Sequence, residues 1–63
     1  MILTIDIYEN KSRQPVIGHR FYGTKRQIDG VIAAHMKTDS FFRAAMEGKT
    51  FRGMELAIEE HWE

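Results

Sequence analysis

The fold is decided by Phe51-Arg-Gly-Met-Glu-Leu-Ala-Ile-Glu-Glu-His-Trp-Glu63, a stretch that fits two kinds of secondary structure. As a strand with a period of two, it directs these large side chains to one face: Met54, Leu56, Ile58 and Trp62. As a helix, it forms one stripe of side chains: Met54, Ala57, Ile58, His61 and Trp62. Helix propensity favours the second pattern. The choice decides whether the chain has a three-stranded sheet or only a hairpin.

The rest of the chain favours the strand. A helix would leave Leu56 exposed and would leave a sheet of only two strands, which is marginally stable in water. A third strand would bury Leu56 and widen the sheet. Gly48 and Gly53 also suit the approach to a strand better than the continuation of a helix. We therefore expect a strand over residues 54–62 and keep the helix as the alternative.

The N-terminal third of the chain predicts an antiparallel hairpin. Residues 2–8 alternate between apolar and polar side chains, and residues 16–22 continue in the same way after Pro15, a residue tolerated where a strand begins. Residues 9–14 are polar and contain turn formers, so the two strands are joined by a short connection. Gly18 indicates a bulge or a close approach of the backbone.

A first helix is predicted over residues 25–37. Thr24-Lys-Arg-Gln27 has the pattern of a capping box, in which the Thr24 hydroxyl and the Gln27 side chain satisfy backbone N–H groups. Helical spacing then connects a stripe of side chains: Ile28, Val31, Ile32, His35 and Met36. Gly30 lies inside this helix, and we interpret it as room for a neighbouring element to approach closely.

A second, short helix over residues 41–47 completes the prediction. Residues 38–40 are all good N-caps, and Gly48 stands where a left-handed C-terminal cap belongs. The predicted fold class is α+β, with the order β-β-α-α-β. We expect a three-stranded antiparallel-type sheet of order 2-1-3 with both helices packed on one face. The second strand would then lie at an edge of the sheet.

Composition bounds the class of protein. Sixty-three residues predict one domain, residues 1–63, with a small core. The chain has no cysteine, which excludes disulfides and thiolate metal sites and fits a reducing compartment. No apolar run reaches the ~20 residues of a membrane span, and the first residues do not resemble a signal peptide. We therefore expect a cytoplasmic protein with no membrane partner.

The formal net charge is zero, so the strongly basic footprint of many nucleic-acid-binding proteins is missing. The balance hides an asymmetry. Residues 1–26 carry five basic and two acidic side chains, a net charge of +3, and residues 27–63 carry −3. Such a dipole can steer a partner or favour self-association, unless the two halves neutralise each other in the folded chain.

No group of residues predicts catalysis. His19, His35 and His61 have no short shared spacing, so we expect no metal site. His35 continues the apolar stripe of the first helix and is interpreted as a hydrogen-bonded core histidine. Glu55 and Glu59 would share one strand face, where a solvated acidic surface is a simpler interpretation than an acid–base pair. With no phosphate-binding loop either, we expect no cofactor and no enzymatic activity.

The side of the sheet away from the helices carries polar and aromatic residues: Thr4, Asp6, Tyr8, Arg20, Tyr22, Glu55 and Glu59. We predict a candidate interaction surface made by Tyr8, Arg20, Tyr22 and Trp62, because such residues anchor protein interfaces.

The predicted function is a small protein-interaction or regulatory module that associates with itself as a homodimer or with a protein partner. The alternative is a single-stranded nucleic-acid-binding protein, in which Tyr8 and Tyr22 would stack on bases and Arg20 would contact phosphate. Glu55 and Glu59 on the same face would repel phosphate, so nucleic acid is the less favoured partner.

Overall fold

The chain forms two long strands, two helices, a very short strand and a long final strand. A computed structural model describes all residues 1–63 and gives these bounds: β1 (Ile2–Glu9), β2 (Pro15–Tyr22), α1 (Lys25–Thr38), α2 (Ser40–Met46), β3 (Thr50–Phe51) and β4 (Met54–Trp62). The strands form one antiparallel sheet of order β2-β1-β4-β3. Neither helix is both long enough and apolar enough to cross a membrane.

The predicted α+β class is confirmed, but the predicted number of strands is wrong. The sheet has four strands and not three, and its order is 2-1-4-3 and not 2-1-3. The additional strand is β3, in which Thr50 pairs with Glu55 and Phe51 pairs with Met54. The turn between them has positive φ at both central residues, Arg52 (50°) and Gly53 (80°). This is the geometry of a tight type I′ hairpin turn, whose twist matches that of the strands it joins.

The final segment is a strand, as predicted, and its burial shows why. Leu56 is only 5% exposed and belongs to a core formed between the sheet and both helices. The buried residues of this core are Leu3, Ile5, Ile7, Phe21, Ile28, Phe42, Ala44, Ala45 and Leu56. Burial of Leu56 in this core outweighs the helix propensity of the segment, because each fully buried aliphatic side chain contributes about 1.5–3 kcal/mol.

The helix ends follow the predicted capping residues. Thr24 Oγ1 accepts from Gln27 N at 3.1 Å, and Gln27 Oε1 accepts from Thr24 N at 2.9 Å. Asp39 caps α2 by accepting from Phe42 N at 3.0 Å. Gly48 follows α2 with a φ of 69°, as expected for a left-handed cap. The interpretation of Gly30 is wrong, because nothing lies within 4 Å of the position that its Cβ would occupy.

Candidate interaction surface

The strand β2 forms one edge of the sheet, as predicted from the sequence. Its only partner is β1, so the backbone of every second residue has no partner. Gly23 N donates to Met1 O at 3.1 Å, which places the inward-bonding pairs at the odd-numbered residues of β2 from Ile17 to Phe21. The N–H and C=O groups of Gly18, Arg20 and Tyr22 therefore point away from the sheet. A free edge of this kind is a template for pairing with another strand.

The opposite edge of the sheet, at β4, is also incompletely paired. Because β3 is only two residues long, β4 has no strand partner on that side from Leu56 onward. This edge is acidic: Glu59, Glu60 and Glu63 lie along it. Charged residues on an edge discourage strand pairing, so the β2 edge is the better candidate for association.

The β2 edge carries exposed apolar side chains on both faces. Tyr22 is 64% exposed, Ile17 48% and Val16 44%. The register places Ile17 opposite Ile7, on the face covered by the helices, and Tyr22 opposite Ile2, on the open face. Isolated exposed apolar residues are common, but three on one edge strand indicate a surface for a partner.

The helix α1 adds a fourth exposed apolar residue above the same edge. Lys25 Nζ lies 5.8 Å from the ring centroid of Trp62, so that side of α1 faces β4. Val31 lies on the other side of α1, with the buried Ile28 between the two sides. Val31 is 51% exposed and therefore extends the apolar region from β2 up to the helix. We call β2 and Val31 together the β2 edge surface.

On the open face of the sheet, unpaired charges stand beside β2. The side chain of Asp6 lies in one row between Gly18 of β2 and Glu59 of β4. In the next row, Thr4 lies between Arg20 and His61. None of Asp6, Glu59 and Arg20 takes part in an ion pair within the chain. Two carboxylates directly opposite each other are mutually destabilising, so a cation from outside would be favourable here.

A shallow concavity of about 380 Å³ opens at this place. Its wall includes both carboxylates, the bare backbone at Gly18 and an apolar side: Asp6, Glu59, Gly18, Tyr8, Pro15 and Val16. Arg13 also lines the concavity, and its guanidinium lies over the Tyr8 ring, 4.7 Å from the ring centroid. The part of the concavity at Asp6 and Glu59 therefore offers negative charge next to an apolar wall, directly beside a free strand edge.

The turn between β1 and β2 holds Arg13 in place. The Glu9 carboxylate accepts from Ser12 N at 2.7 Å, from Ser12 Oγ at 2.8 Å and from Lys11 N at 3.2 Å. These hydrogen bonds, the one from Ser12 N first, lower the pKa of Glu9 below its ordinary value of 4.5. Arg13 itself adopts a left-handed φ of 60°. A turn fixed in this way holds Arg13, a lining residue of the concavity, in position.

The structure brings together three of the four residues predicted for the interaction surface. Tyr8, Arg20 and Tyr22 share the open face of the sheet. Trp62 does not, because it pairs with Leu3 on the helix-covered face and lies beside Lys25. The concavity itself was not predicted. Period two indicates which face a side chain lies on, but the alignment of Asp6 with Gly18 depends on the register between strands.

The histidines occupy two separate places. The ring of His19 lies 5.1 Å from that of His35 and 5.0 Å from that of Phe42, on the helix-covered face. Burial there lowers the pKa of His19 below its ordinary value of 6.5; His35 lowers the pKa further, and Asp39 partly opposes this. His61 lies on the open face, opposite Thr4.

The prediction that His35 is hydrogen-bonded is wrong. Its Nε2 is buried and has no hydrogen-bond partner, and its nearest carboxylate oxygen is Asp39 Oδ2 at 3.5 Å. The packing of the ring against Phe42, with centroids 4.6 Å apart, takes precedence over a hydrogen bond at this position.

No cluster of side chains in the structure has the composition and spacing to hold a metal ion. Comparison of the chain with models of protein families, with curated proteins and with solved structures finds no match. The features that indicate function are therefore the chain's own: a free strand edge, exposed apolar side chains along it, and unpaired charges beside it.

Proposed function

We propose that the chain is a small, non-enzymatic protein-interaction module that binds a strand of a protein partner at the β2 edge, and that its first partner is a second copy of itself. The observation that carries the proposal is the eight-residue edge strand with unpaired backbone groups and exposed apolar side chains. In strand addition, the main-chain hydrogen bonds give affinity, and the side chains of the edge give specificity.

The small core supports association. Only nine of the 63 residues are buried, and β2 contributes just one of them, Phe21. A domain of this size gains little stability from its own core and often relies on a partner subunit. A partner strand on β2 would remove Ile17, Val16 and Tyr22 from water. We place the module in the cytoplasm, because a chain without cysteines needs no oxidising compartment.

Binding of single-stranded nucleic acid is less well supported. Tyr8, Tyr22 and Arg20 do share the open face, as a stacking platform requires. However, Asp6 and Glu59 occupy the middle of that face and would repel a phosphate backbone.

Sedimentation equilibrium of the wild type and of Ile17→Lys tests the proposal. We expect the wild-type mass to rise from 7.4 kDa towards twice that value as concentration increases. Ile17→Lys places a charge at the edge of the sheet, a known protection against strand pairing, and should keep the mass at that of a monomer. The matched control is Ala33→Lys, at an exposed position of α1 on the side away from β2. Circular dichroism verifies that each variant is folded.

A wild-type chain that remains at 7.4 kDa up to several hundred micromolar would refute self-association. Equal loss of association in Ile17→Lys and Ala33→Lys would move the interface away from the β2 edge. Tight binding of single-stranded DNA that weakens steeply with added salt would favour the nucleic-acid alternative.

A further inference from the structure

We propose that two copies pair through β2 in a symmetric dimer whose two-fold axis passes between the two His19 residues, so that Arg20 and Tyr22 of each copy occupy the concavity of the other. The inference rests on the proposed function and adds to it the register of the interface, the residues that recognise each other, and the occupant of the concavity.

The backbone restricts the possible registers. From Gly18 to Tyr22, the outward N–H and C=O groups of β2 belong to the even-numbered residues, so an antiparallel copy must align even residues with even residues there. Every symmetric pairing centred on a residue has this parity, but centring on Ile17 leaves Arg20 and Tyr22 beyond the end of the partner's β2, and centring on Phe21 pairs only residues 20–22. This leaves the pairings centred on Gly18, on His19 or on Arg20.

Side chains select among the three registers. Centring on Arg20 would place the two Arg20 guanidinium groups directly opposite each other, which is destabilising. Centring on Gly18 would align Tyr22 with Gln14, outside the partner's strand. Centring on His19 aligns residues 16–22 of both copies along their whole length.

In the register centred on His19, the charges complement each other. Arg20 lies opposite the partner's Gly18, and the next residue in that row is Asp6, followed by Glu59. Gly18 has no side chain to block the way; a Cβ there would lie 2.8 Å from Asp6 Oδ1. Each arginine, unpaired in the single chain, therefore lies in a row with the partner's unpaired Asp6, with Glu59 one strand further along, and this happens twice in the dimer.

The apolar side chains match in the same register. Tyr22 lies opposite the partner's Val16, beside Pro15 on the apolar wall of the concavity. Ile17 lies opposite the partner's Phe21 on the other face. Pairs of an aromatic with a β-branched residue are favourable across strands.

The helices lie on the same side of the joined sheet. A two-fold axis perpendicular to the sheet keeps both helix layers on one face, so the exposed Val31 sides of the two α1 helices turn towards each other. Near the axis, the two His19 rings meet beneath them, with His35 and Asp39 of each copy facing His19 from the helices. Charged rings would repel each other there, and the burial that lowers the pKa of His19 favours its uncharged form.

Single cysteines test the register, because the chain has none of its own. In the proposed dimer, residue 19 faces itself across a pair without hydrogen bonds, where Cα atoms are about 4.5 Å apart and a disulfide can form. We expect His19→Cys to form a covalent dimer on mild oxidation. Arg20→Cys is the matched control, because the two Cα atoms at residue 20 would lie more than about 7 Å apart, too far for a disulfide.

Exchange of charges tests the contact of Arg20 with Asp6. Arg20→Asp and Asp6→Arg should each weaken the dimer roughly tenfold or more, measured by sedimentation, because like charges then meet across the interface. The double variant restores opposite charges and should regain most of the lost affinity. Circular dichroism should be used to check that all three variants fold. The charge exchange tests the interface without altering the packing of His19.

Each negative result of these experiments contradicts a different part of the proposal. A monomeric wild type refutes the proposed self-association itself. A wild-type dimer in which Arg20→Cys cross-links and His19→Cys does not would overturn the register and leave the edge as the interface. A mass that grows beyond two chains indicates head-to-tail pairing of β2 with β4 and overturns the symmetric dimer. A double charge variant no better than the single ones refutes the Arg20–Asp6 contact.

Discussion

At the scale of single residues, Asp39 connects the two helices. Its backbone N–H donates to His35 O at 2.9 Å and ends α1, while its Oδ1 accepts from Phe42 N and begins α2. Its other carboxylate oxygen lies 3.5 Å from His35 Nε2. Asp39 therefore ends α1, begins α2, and places a negative charge beside His35 of α1 and His19 of β2.

The histidine under the helices predicts a dependence of stability on pH. Burial lowers the pKa of His19 in the folded chain. As the pH falls, His19 therefore becomes protonated near pH 6.5 in the unfolded chain but only at lower pH in the folded chain. The free energy of unfolding should therefore be highest above pH 6.5 and fall as the pH drops through this value towards the lowered pKa. Urea titrations between pH 8 and about pH 5, at a concentration where the chain is monomeric, measure the effect.

Replacement of the His19 ring tests whether His19 is the source of this dependence of stability on pH. His19→Phe should flatten this part of the profile, while His61→Gln, at an exposed position, should leave it unchanged. A separate decline below pH 4.5 is expected from Glu9, whose lowered pKa stabilises the folded chain only while its carboxylate is ionised. A flat profile between pH 8 and about pH 5 in the wild type would contradict the assignment to His19.

At the scale of elements, local signals predicted most of the fold. The alternation in β1 and β2, the capping box at Thr24 and the cap at Gly48 all act within a few residues, and the structure confirms each of them. The strand β3 was not predicted because two residues are too short to show a period. It exists because the turn at Arg52 and Gly53 folds the chain back onto β4, an effect of turn geometry that hydrophobic patterns do not reveal.

The open space around Gly30 predicts a stabilising substitution. Gly30 lies in the middle of α1, is exposed, and has nothing within 4 Å of its Cβ position. Gly30→Ala should raise the free energy of unfolding by about 1 kcal/mol, because alanine loses less backbone entropy in a helix. Chemical denaturation measures the change. The matched control is Gly48→Ala, which should destabilise the chain because of the left-handed φ of 69°; stabilisation by both substitutions would contradict the argument.

The turn between β3 and β4 predicts a second stabilising substitution. Arg52 adopts a φ of 50° in the first central position of a type I′ turn, where asparagine is strongly preferred before glycine. Arg52→Asn should stabilise the chain by about 0.5 kcal/mol, since the left-handed conformation costs less for asparagine. The loss of the Arg52 contact with the Phe51 ring, 5.4 Å away, keeps the gain small. Thermal unfolding measures it, and a lower midpoint would show that the ring contact dominates.

At the scale of the whole molecule, the site depends on alignments between distant parts of the chain. The sequence alone predicts that Tyr8, Arg20 and Tyr22 share a face. In each strand, alternation turns the apolar residues towards the core and therefore turns these three towards the other face. Opposition of Gly18 to Asp6 follows from the register of the hairpin, including its irregularity near Tyr8. The position of Val31 above β2 follows from the way α1 lies across the sheet. Such relations appear only after the strands and helices have packed.

The same scale gives a prediction about thermal stability. If the folded chain is a dimer and the unfolded chain is not, association stabilises the folded state by mass action, so the unfolding midpoint depends on concentration. For a chain of 63 residues, each tenfold increase in concentration should raise the midpoint by roughly 3–6 °C. Differential scanning calorimetry over about a hundredfold range of concentration measures this dependence. Ile17→Lys should abolish it, while Ala33→Lys should retain it. A wild-type midpoint that does not change with concentration would mean that the exposed apolar edge of β2 does not hold two copies together.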